Sequence, residues 1–260
     1  MKTMADDTLQ RTQARFLKEL FYGGKGGFVL KGGMAMMALF GPGRLTRDVD
    51  LDFPELRKRT ADSLHNQVMR ALKAALRGSG VQDARISEPG KAEVSPKWKV
   101  SGRTALGEPF HMKVEVSRRP PPPGKVRQAT VSGVSAFGLG AYYVDLYDEE
   151  TLVAMKLAAL LGRTAARDVT DLDLLLPKHR PGDALLEWAL AHARVDPSDA
   201  SRAVEEKLAS MSYEFFRTEM LADAELLARI DEAEWDAMRT RVRRELGRLL
   251  DDYAPKSEPS

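Results

Sequence analysis

Apolar positions along this chain recur with two periods, and the change of period divides it. Leu9, Phe16, Leu17 and Leu20 give residues 8–22 the stripe of an amphipathic helix, which Gly23 to Gly27 stop. A short helix is expected from about Gly33 to Phe40, after the turn Lys31-Gly32-Gly33, with its N-terminal amides free to cradle phosphate. Strict alternation follows in Asp48-Val49-Asp50-Leu51-Asp52-Phe53, a half-buried strand with one apolar and one acidic face. Pro54 opens a helix through Leu76. Strands near 81–88, 95–102 and 109–117 then extend the sheet in antiparallel fashion. Pro120 to Pro123 form a polyproline turn that suits a stiff linker. From about 148 to 250 the period is helical, with later helices near 182–194, 199–226 and 231–251, the last striped by Trp235, Met238, Val242 and Leu249.

Composition narrows the class without naming a chemistry. The 260 residues exceed one typical domain and suggest two. With no cysteine, disulfides and thiolate zinc sites are excluded, and His65, His111, His179 and His192 have no metal-ligand spacing. No apolar run approaches the roughly 20 residues that span a bilayer, and there is no signal-peptide pattern, so no membrane role and a cytoplasmic location are expected. Forty basic against 38 acidic residues leave a net charge of +2, so any nucleic-acid surface must come from local clusters. Such clusters occur at Arg57-Lys58-Arg59, at Lys97, Lys99 and Arg103, at Arg118-Arg119, and from Arg239 to Arg248. Trp98 interleaves the second, where it either stacks on a single-stranded end or belongs to the core.

The chemistry concentrates on the alternating strand. Side chains two apart share a face, so Asp48, Asp50 and Asp52 line up, and parallel carboxylates repel unless a cation neutralises them. Mg²⁺ prefers carboxylate and phosphate oxygens, and two such ions can clamp the attacking and leaving oxygens of a phosphoryl displacement. An EF-hand is disfavoured because Phe53 stands where the sharp turn needs glycine. The glycine run at 23–27 lacks the spacing of a P-loop and its Ser or Thr. In Phe110 to Val116, alternation sets Lys113 and Glu115 on one face, making Glu115 a candidate third carboxylate. Lys156 and Arg163 lie two helical turns apart on one face, placed to grip a triphosphate. Asp171 lies one turn from Arg167 and Asp168, and either pairs with Arg167 to lock the helix or takes part in catalysis.

Three ordered segments resemble the AbiEii/AbiGii toxin family, a branch of the polymerase-β-like nucleotidyltransferases. Phe28 to Met36 is similar to its apolar-Lys-Gly-Gly-Thr-Ala-Leu turn, and Arg44 to Leu51 to its Arg-Phe-Ser-x-Asp-Ile-Asp-Leu. Lys113 to Val116 occupies the place of its third acidic ligand. Leu152 to Leu160 with Arg163, then Ala166-Arg167-Asp168-Val169-Thr170-Asp171-Leu172, are close to its Ala-Glu-Lys-Leu-Ala-Ala-Leu and Ala-Arg-Asp-x-x-Asp-Leu. Met34 departs from the usual Thr or Ser, and Met155 from the usual Glu.

The resemblance implies an α+β fold. A polymerase-β-like nucleotidyltransferase domain with a mixed sheet flanked by helices (1–145) would precede a C-terminal helical domain (146–260) carrying Lys156 and a substrate platform. It implies catalytic Asp48, Asp50, Glu115, Lys156 and Asp171. Two Mg²⁺ ions would sit on Asp48, Asp50 and Glu115, and an NTP on Lys31, Gly32, Gly33, Thr46, Lys156 and Arg163. The function implied is that of a type IV toxin of a toxin-antitoxin or phage-defence pair, adding a nucleotide to an RNA acceptor such as the tRNA 3′ end and neutralised by a cognate antitoxin. Alternatives are a protein or small-molecule acceptor, or a catalytically silent nucleotide-binding module, for which Met34 is the argument.

Overall fold

The computed structural model describes residues 4–22, 26–41, 46, 48–53, 61–90, 94–131, 134–221 and 223–253. Its contacts separate two units, residues 1–121 with 126–147, and residues 122–125 with 148–260.

The first unit is a seven-stranded mixed sheet. In chain order it comprises α1 (Met4–Tyr22), β1 (Val29–Lys31), α2 (Gly32–Phe40), β2 (Asp48–Asp52), α3 (Ala61–Arg77), β3 (Gln82–Ser87), β4 (Lys97–Arg103), β5 (Pro109–Ser117), β6 (Val126–Val131) and β7 (Tyr142–Tyr147). The strand order is β3-β4-β5-β2-β1-β7-β6, parallel at β2–β5 and β1–β7 and antiparallel elsewhere. The antiparallel run β3-β4-β5 is the extension the sequence predicts. Strands β1, β6 and β7 were not anticipated, because β1 has only three residues and β6 is largely exposed, so neither displays a half-buried alternation.

Alternation decides what each strand buries. On β4 and β5, Trp98, Val100, Phe110, Met112, Val114 and Val116 lie in the core, while Lys97, Lys99, His111 and Lys113 face the other way. Phe16, Leu17 and Leu20 of α1 pack with Val68 and Leu72 of α3 in the same core, and α1 contacts β5 and β7. Trp98 is 1% exposed and packs near the His65 ring of α3, with centroids 5.9 Å apart. It is a core residue, so the stacking role considered for it is corrected: its flanking lysines occupy the opposite face.

The second unit is helical. Asp148 caps α4 (Glu149–Gly162) by accepting from the Thr151 amide at 3.0 Å. Then come α5 (Ala166–Leu175), α6 (Asp183–Ala193), α7 (Ala200–Ala209), α8 (Tyr213–Glu219), α9 (Ala224–Arg229) and α10 (Glu232–Asp251). The single helix expected over 199–226 is three shorter ones. Ser212 caps α8 and Asp223 caps α9, so polar residues inside an apolar stripe mark helix starts instead of an exposed face. Trp235 is fully buried, donates to the Met211 carbonyl at 3.0 Å and stacks on Phe216. Arg241 makes two hydrogen bonds to Asp173, at 2.8 and 2.9 Å, and ties α10 to α5.

Truncating Trp98 empties the centre of the first unit. Trp98→Ala should cost about 3–5 kcal/mol, read as an earlier midpoint in denaturant-induced loss of circular dichroism, whereas Lys99→Ala, on the outer face, should leave that midpoint nearly unchanged.

Candidate active site

The parallel pairing of β2 with β5 brings the predicted carboxylates together. Asp48 stands opposite Lys113, Asp50 opposite Glu115 and Asp52 opposite Ser117. Lys31 on β1 stands opposite Asp50 from the other side. Asp52 leaves the acidic set. It is 3% exposed, its carboxylate takes the Lys31 ammonium, and it accepts a hydrogen bond from the Tyr147 hydroxyl at 2.8 Å. Burial, reinforced by the Asp52 charge, pushes the Tyr147 hydroxyl well above its ordinary value, so it stays a donor. Asp52 and Lys31 therefore stitch β2, β1 and β7 together, leaving Asp48, Asp50 and Glu115 on the open face.

Two lysines border these three. Lys113 Nζ lies 2.9 Å from Asp48 and 3.8 Å from Glu115, and Lys97 Nζ 3.4 Å from Glu115. Burial favours neutral Lys113, but its hydrogen bond to Asp48 and the charges of Asp48, Asp50 and Glu115 outweigh it and hold its proton more tightly than usual. Asp50 is the acid under most pressure. Burial raises its carboxyl above the ordinary range, the Asp48 and Glu115 charges push the same way, and Lys113 and Lys31 oppose them less strongly. Lys113 was not among the expected site residues. Its signal was its place two residues before Glu115 on an alternating strand.

The glycine turn fits closely over Asp50. Gly32 has φ +63, which favours glycine, and a Cβ there would come within 2.7 Å of Asp50 Oδ2. A Cβ on Gly33 would meet Thr46 Oγ1 at 3.0 Å. The Thr46 hydroxyl donates to the Asp48 carbonyl at 3.2 Å, and Gln13 donates to the Thr46 carbonyl at 2.8 Å, so Thr46 anchors the start of β2 against the turn. Met34 is 4% exposed and lines a small pocket of about 40 Å³ with Gln10, Ala14, Leu17 and Tyr142. The departure from Thr at this position thus fills core space. Arg44, Leu45, Arg47 and the cluster Arg57-Lys58-Arg59 lie outside the described residues.

In the helical unit, α4 buries Leu152, Val153, Ala154, Leu157, Ala158, Leu160 and Leu161, and Lys156 is its only charge beyond the first turn. Lys156 is 5% exposed and paired with both Asp168, at 3.1 Å, and Asp171. Arg163 places Nε at 2.9 Å and Nη2 at 3.1 Å on fully buried Asp168. Burial alone would raise the Asp168 carboxyl; Lys156 and Arg163 together overcome that and hold it below the usual carboxylate range. The Arg167–Asp171 pair considered from helical spacing is not the one formed. Arg167 turns to Glu219 of α8 at 3.2 Å, whose other oxygen accepts from the Ala166 amide at 2.6 Å, because Asp171 points inward to the buried lysine. Helical spacing alone does not single out Asp168, yet this residue of the Arg-Asp-x-x-Asp segment takes both Lys156 and Arg163.

The donor set of Asp48, Asp50 and Glu115 is all hard oxygen, and burial among like charges makes Asp50 a carboxylate that a cation would relieve. Among the described residues no three His, Asp or Glu groups are arranged as a metal cage. The Lys113 ammonium spans Asp48 and Glu115 and supplies the positive charge between them. The residues fit a divalent ion in their chemistry, with Lys113 as the counter-charge to be displaced.

A match to the family described as nucleotidyl transferase AbiEii toxin of type IV toxin-antitoxin systems extends over residues 15–254. No curated protein matches the sequence. Among solved structures, a candidate nucleotidyltransferase from H. pylori superposes with a TM-score of 0.57 at 19% identity, covering 95% of this chain and 99% of that one. MenT4, a nucleotidyltransferase toxin from Mycobacterium tuberculosis H37Rv, gives 0.52 at 18% identity, over 97% and 91%. At these identities the structures establish a shared fold.

Asparagine copies the uncharged form of Asp50. Because the folded-state carboxyl titrates above 3.8, the wild type loses stability as pH rises through that raised value, and Asp50→Asn does not. With a chelator present, the mutant's melting temperature should exceed the wild type's at pH 7, and the gap should close as pH falls toward 4. An equal gap at both values would remove the strain assigned to Asp50. In the helical unit, Asp168→Ala leaves buried Lys156 with Asp171 as its one remaining carboxylate and removes the partner of Arg163, and should cost up to about 3–5 kcal/mol, read as an earlier midpoint in denaturant-induced change of tryptophan fluorescence.

Proposed function

This chain belongs to the AbiEii nucleotidyl transferase toxin family of type IV toxin-antitoxin systems, and from that premise we propose that it transfers a nucleotide from an NTP to an RNA acceptor, the tRNA 3′ end, in the cytoplasm. The carrying observation is Asp50, in register with Glu115, two residues along the strand from Asp48 and directly against the Gly32 turn. Carboxylates crowded beside a glycine turn bring the acids that bind cations next to backbone amides that suit phosphate.

Asp48, Asp50 and Glu115 would hold Mg²⁺, two ions in the full set, which supplies charge neutralisation for the attacking and leaving oxygens. Gly32 and Gly33 let the backbone approach the triphosphate closely, and Thr46 holds that turn in place. Lys31, paired with Asp52, contributes to the turn's position and charge. An acceptor hydroxyl attacks the α-phosphorus, the new P–O bond forms as the α–β bridge breaks, and pyrophosphate leaves while the hydroxyl proton passes to the carboxylate cluster. In this reading residues 1–145 supply the metal-binding acids; within the helical unit, 146–260, Asp171 and Asp168 hold Lys156 and Arg163 pairs with Asp168. A cognate antitoxin would restrain the activity, and a role in phage defence fits the family.

The test is incubation of the purified protein with Mg²⁺, each α-labelled NTP in turn and total tRNA, with Asp50→Ala alongside. Label should appear on tRNA with the wild type, and Asp50→Ala should lose it by more than about 100-fold, beyond the 10–100-fold typical of residues one shell away from a metal. Label on protein or a small molecule instead would move the acceptor. Nucleotide binding without pyrophosphate release would make the chain a silent module.

A further inference from the structure

The outer face of the β3-β4-β5 sheet carries basic residues whose placement the reaction at the carboxylates does not by itself require. Register shows which of them are neighbours. Ser87, Lys99, Lys113 and Asp48 form one row across four strands. Lys97, Glu115 and Asp50 form the next row toward one end. Arg85, Ser101 and His111 form the row on the other side, and Arg103 lies beyond it, paired with Gln82 and Pro109. Residues in register across a sheet share a face, so Arg85, Lys97, Lys99, Arg103, His111 and Lys113 stand on the same surface as Asp48, Asp50 and Glu115.

This surface is open. Arg85, Lys97, Lys99, Arg103 and His111 are all exposed, and Trp98, Val100, Phe110 and Met112 between them fill the other side. Lys97 and Lys113 are drawn toward the site carboxylates, and the Arg103 guanidinium donates to the Gly107 carbonyl at 3.0 Å. Lys99 and Arg85 have no ion-pair partner among the described residues. Lys99 is two strands from Asp48, on the order of 10 Å at the usual strand spacing. A net charge of only +2 makes such one-sided clustering the form a nucleic-acid surface would take here.

We propose that this face, with Lys99 and Arg85 as the cations that have no ion-pair partner among the described residues, is the track along which the RNA acceptor's sugar-phosphate backbone lies, delivering its end to Asp48, Asp50 and Glu115. The inference rests on the transfer reading above and adds where the acceptor binds. Charge complementarity selects the occupant: a polyanion matches a row of cations that ends at the carboxylates, with the acceptor's terminal hydroxyl, not a further phosphate, meeting the acids. The contacts are to phosphate, so they set position and affinity without reading sequence.

The experiment uses the full-length chain as wild type, as Lys99→Glu with Arg85→Glu, and as Arg243→Glu with Arg244→Glu on the exposed basic stretch of α10. Total tRNA binding is measured by mobility shift over a series of salt concentrations, and NTP binding and label transfer are measured beside it. The sheet pair should weaken tRNA binding by about 10-fold or more and flatten the salt dependence by roughly 1.4–1.8 in log-log slope. Its NTP affinity should stay at the wild-type value, with the loss of transfer recovered at high tRNA concentration. The α10 pair should bind as wild type does. If tRNA is labelled but the sheet pair binds it normally, or if the loss follows the α10 pair, the track is overturned while the transfer reading stands. If no RNA is bound or labelled and the sheet pair instead fails to capture a protein acceptor or antitoxin, both readings fall and the face is a protein-docking surface.

Discussion

Crowding three carboxylates onto one face of a sheet is the constraint around which the first unit is organised. Asp50 and Glu115 stand side by side on parallel strands, and Asp48 is one pleat away. Like charges at that separation oppose ionisation, and burial adds to the opposition. The surrounding residues answer locally. Lys113 lies between Asp48 and Glu115, Lys97 borders Glu115, and the remaining acid of the strand, Asp52, is removed from the cluster by Lys31 and Tyr147. What stays uncompensated is concentrated on Asp50, the acid lying against the glycine turn.

The topology follows from the same requirement. Parallel strands cannot be joined by a tight turn, so the chain between β2 and β5 has room for α3, β3 and β4 before it returns. That excursion builds the apolar floor and the basic outer face together, since each strand contributes one residue to each side in turn. A residue such as Trp98 is therefore tied to Lys97 and Lys99 by geometry alone. The helical unit solves a separate problem of the same kind, holding Lys156 in an apolar helix with Asp168 and Asp171 and using Arg163 to cover the acid from outside.

Much of this was legible because it depends on period. Alternation in Asp48 to Phe53 and in Phe110 to Val116 fixes which side chains share a face, and both strands form as their patterns predict. The family resemblance covered the turn, the two acidic strands and the Lys156 segment, and the match over residues 15–254 supports it. Pairing partners were harder to read. Nothing local distinguishes Asp52 from Asp48 and Asp50; only Lys31 and Tyr147, brought in by β1 and β7, do so. Asp171 and Arg167 have ideal helical spacing, yet each finds a partner on another helix, because burial of Lys156 outweighs a surface pair worth a few tenths of a kcal/mol. The short strand β1 and the exposed edge β6 carry too little pattern to be seen alone.

Lys113 occupies the boundary between two neighbourhoods, in register with Lys99 on one side and with Asp48 on the other. An ammonium has one charge to give, so whatever anion draws it toward the basic strip leaves Asp48 and Glu115 less well neutralised and readier for another cation. The reverse holds with equal strength, because coupling between two binding events is reciprocal. A single side chain thus makes the acidic and basic halves of this face one thermodynamic unit, in which occupancy of either end is communicated across a single strand spacing.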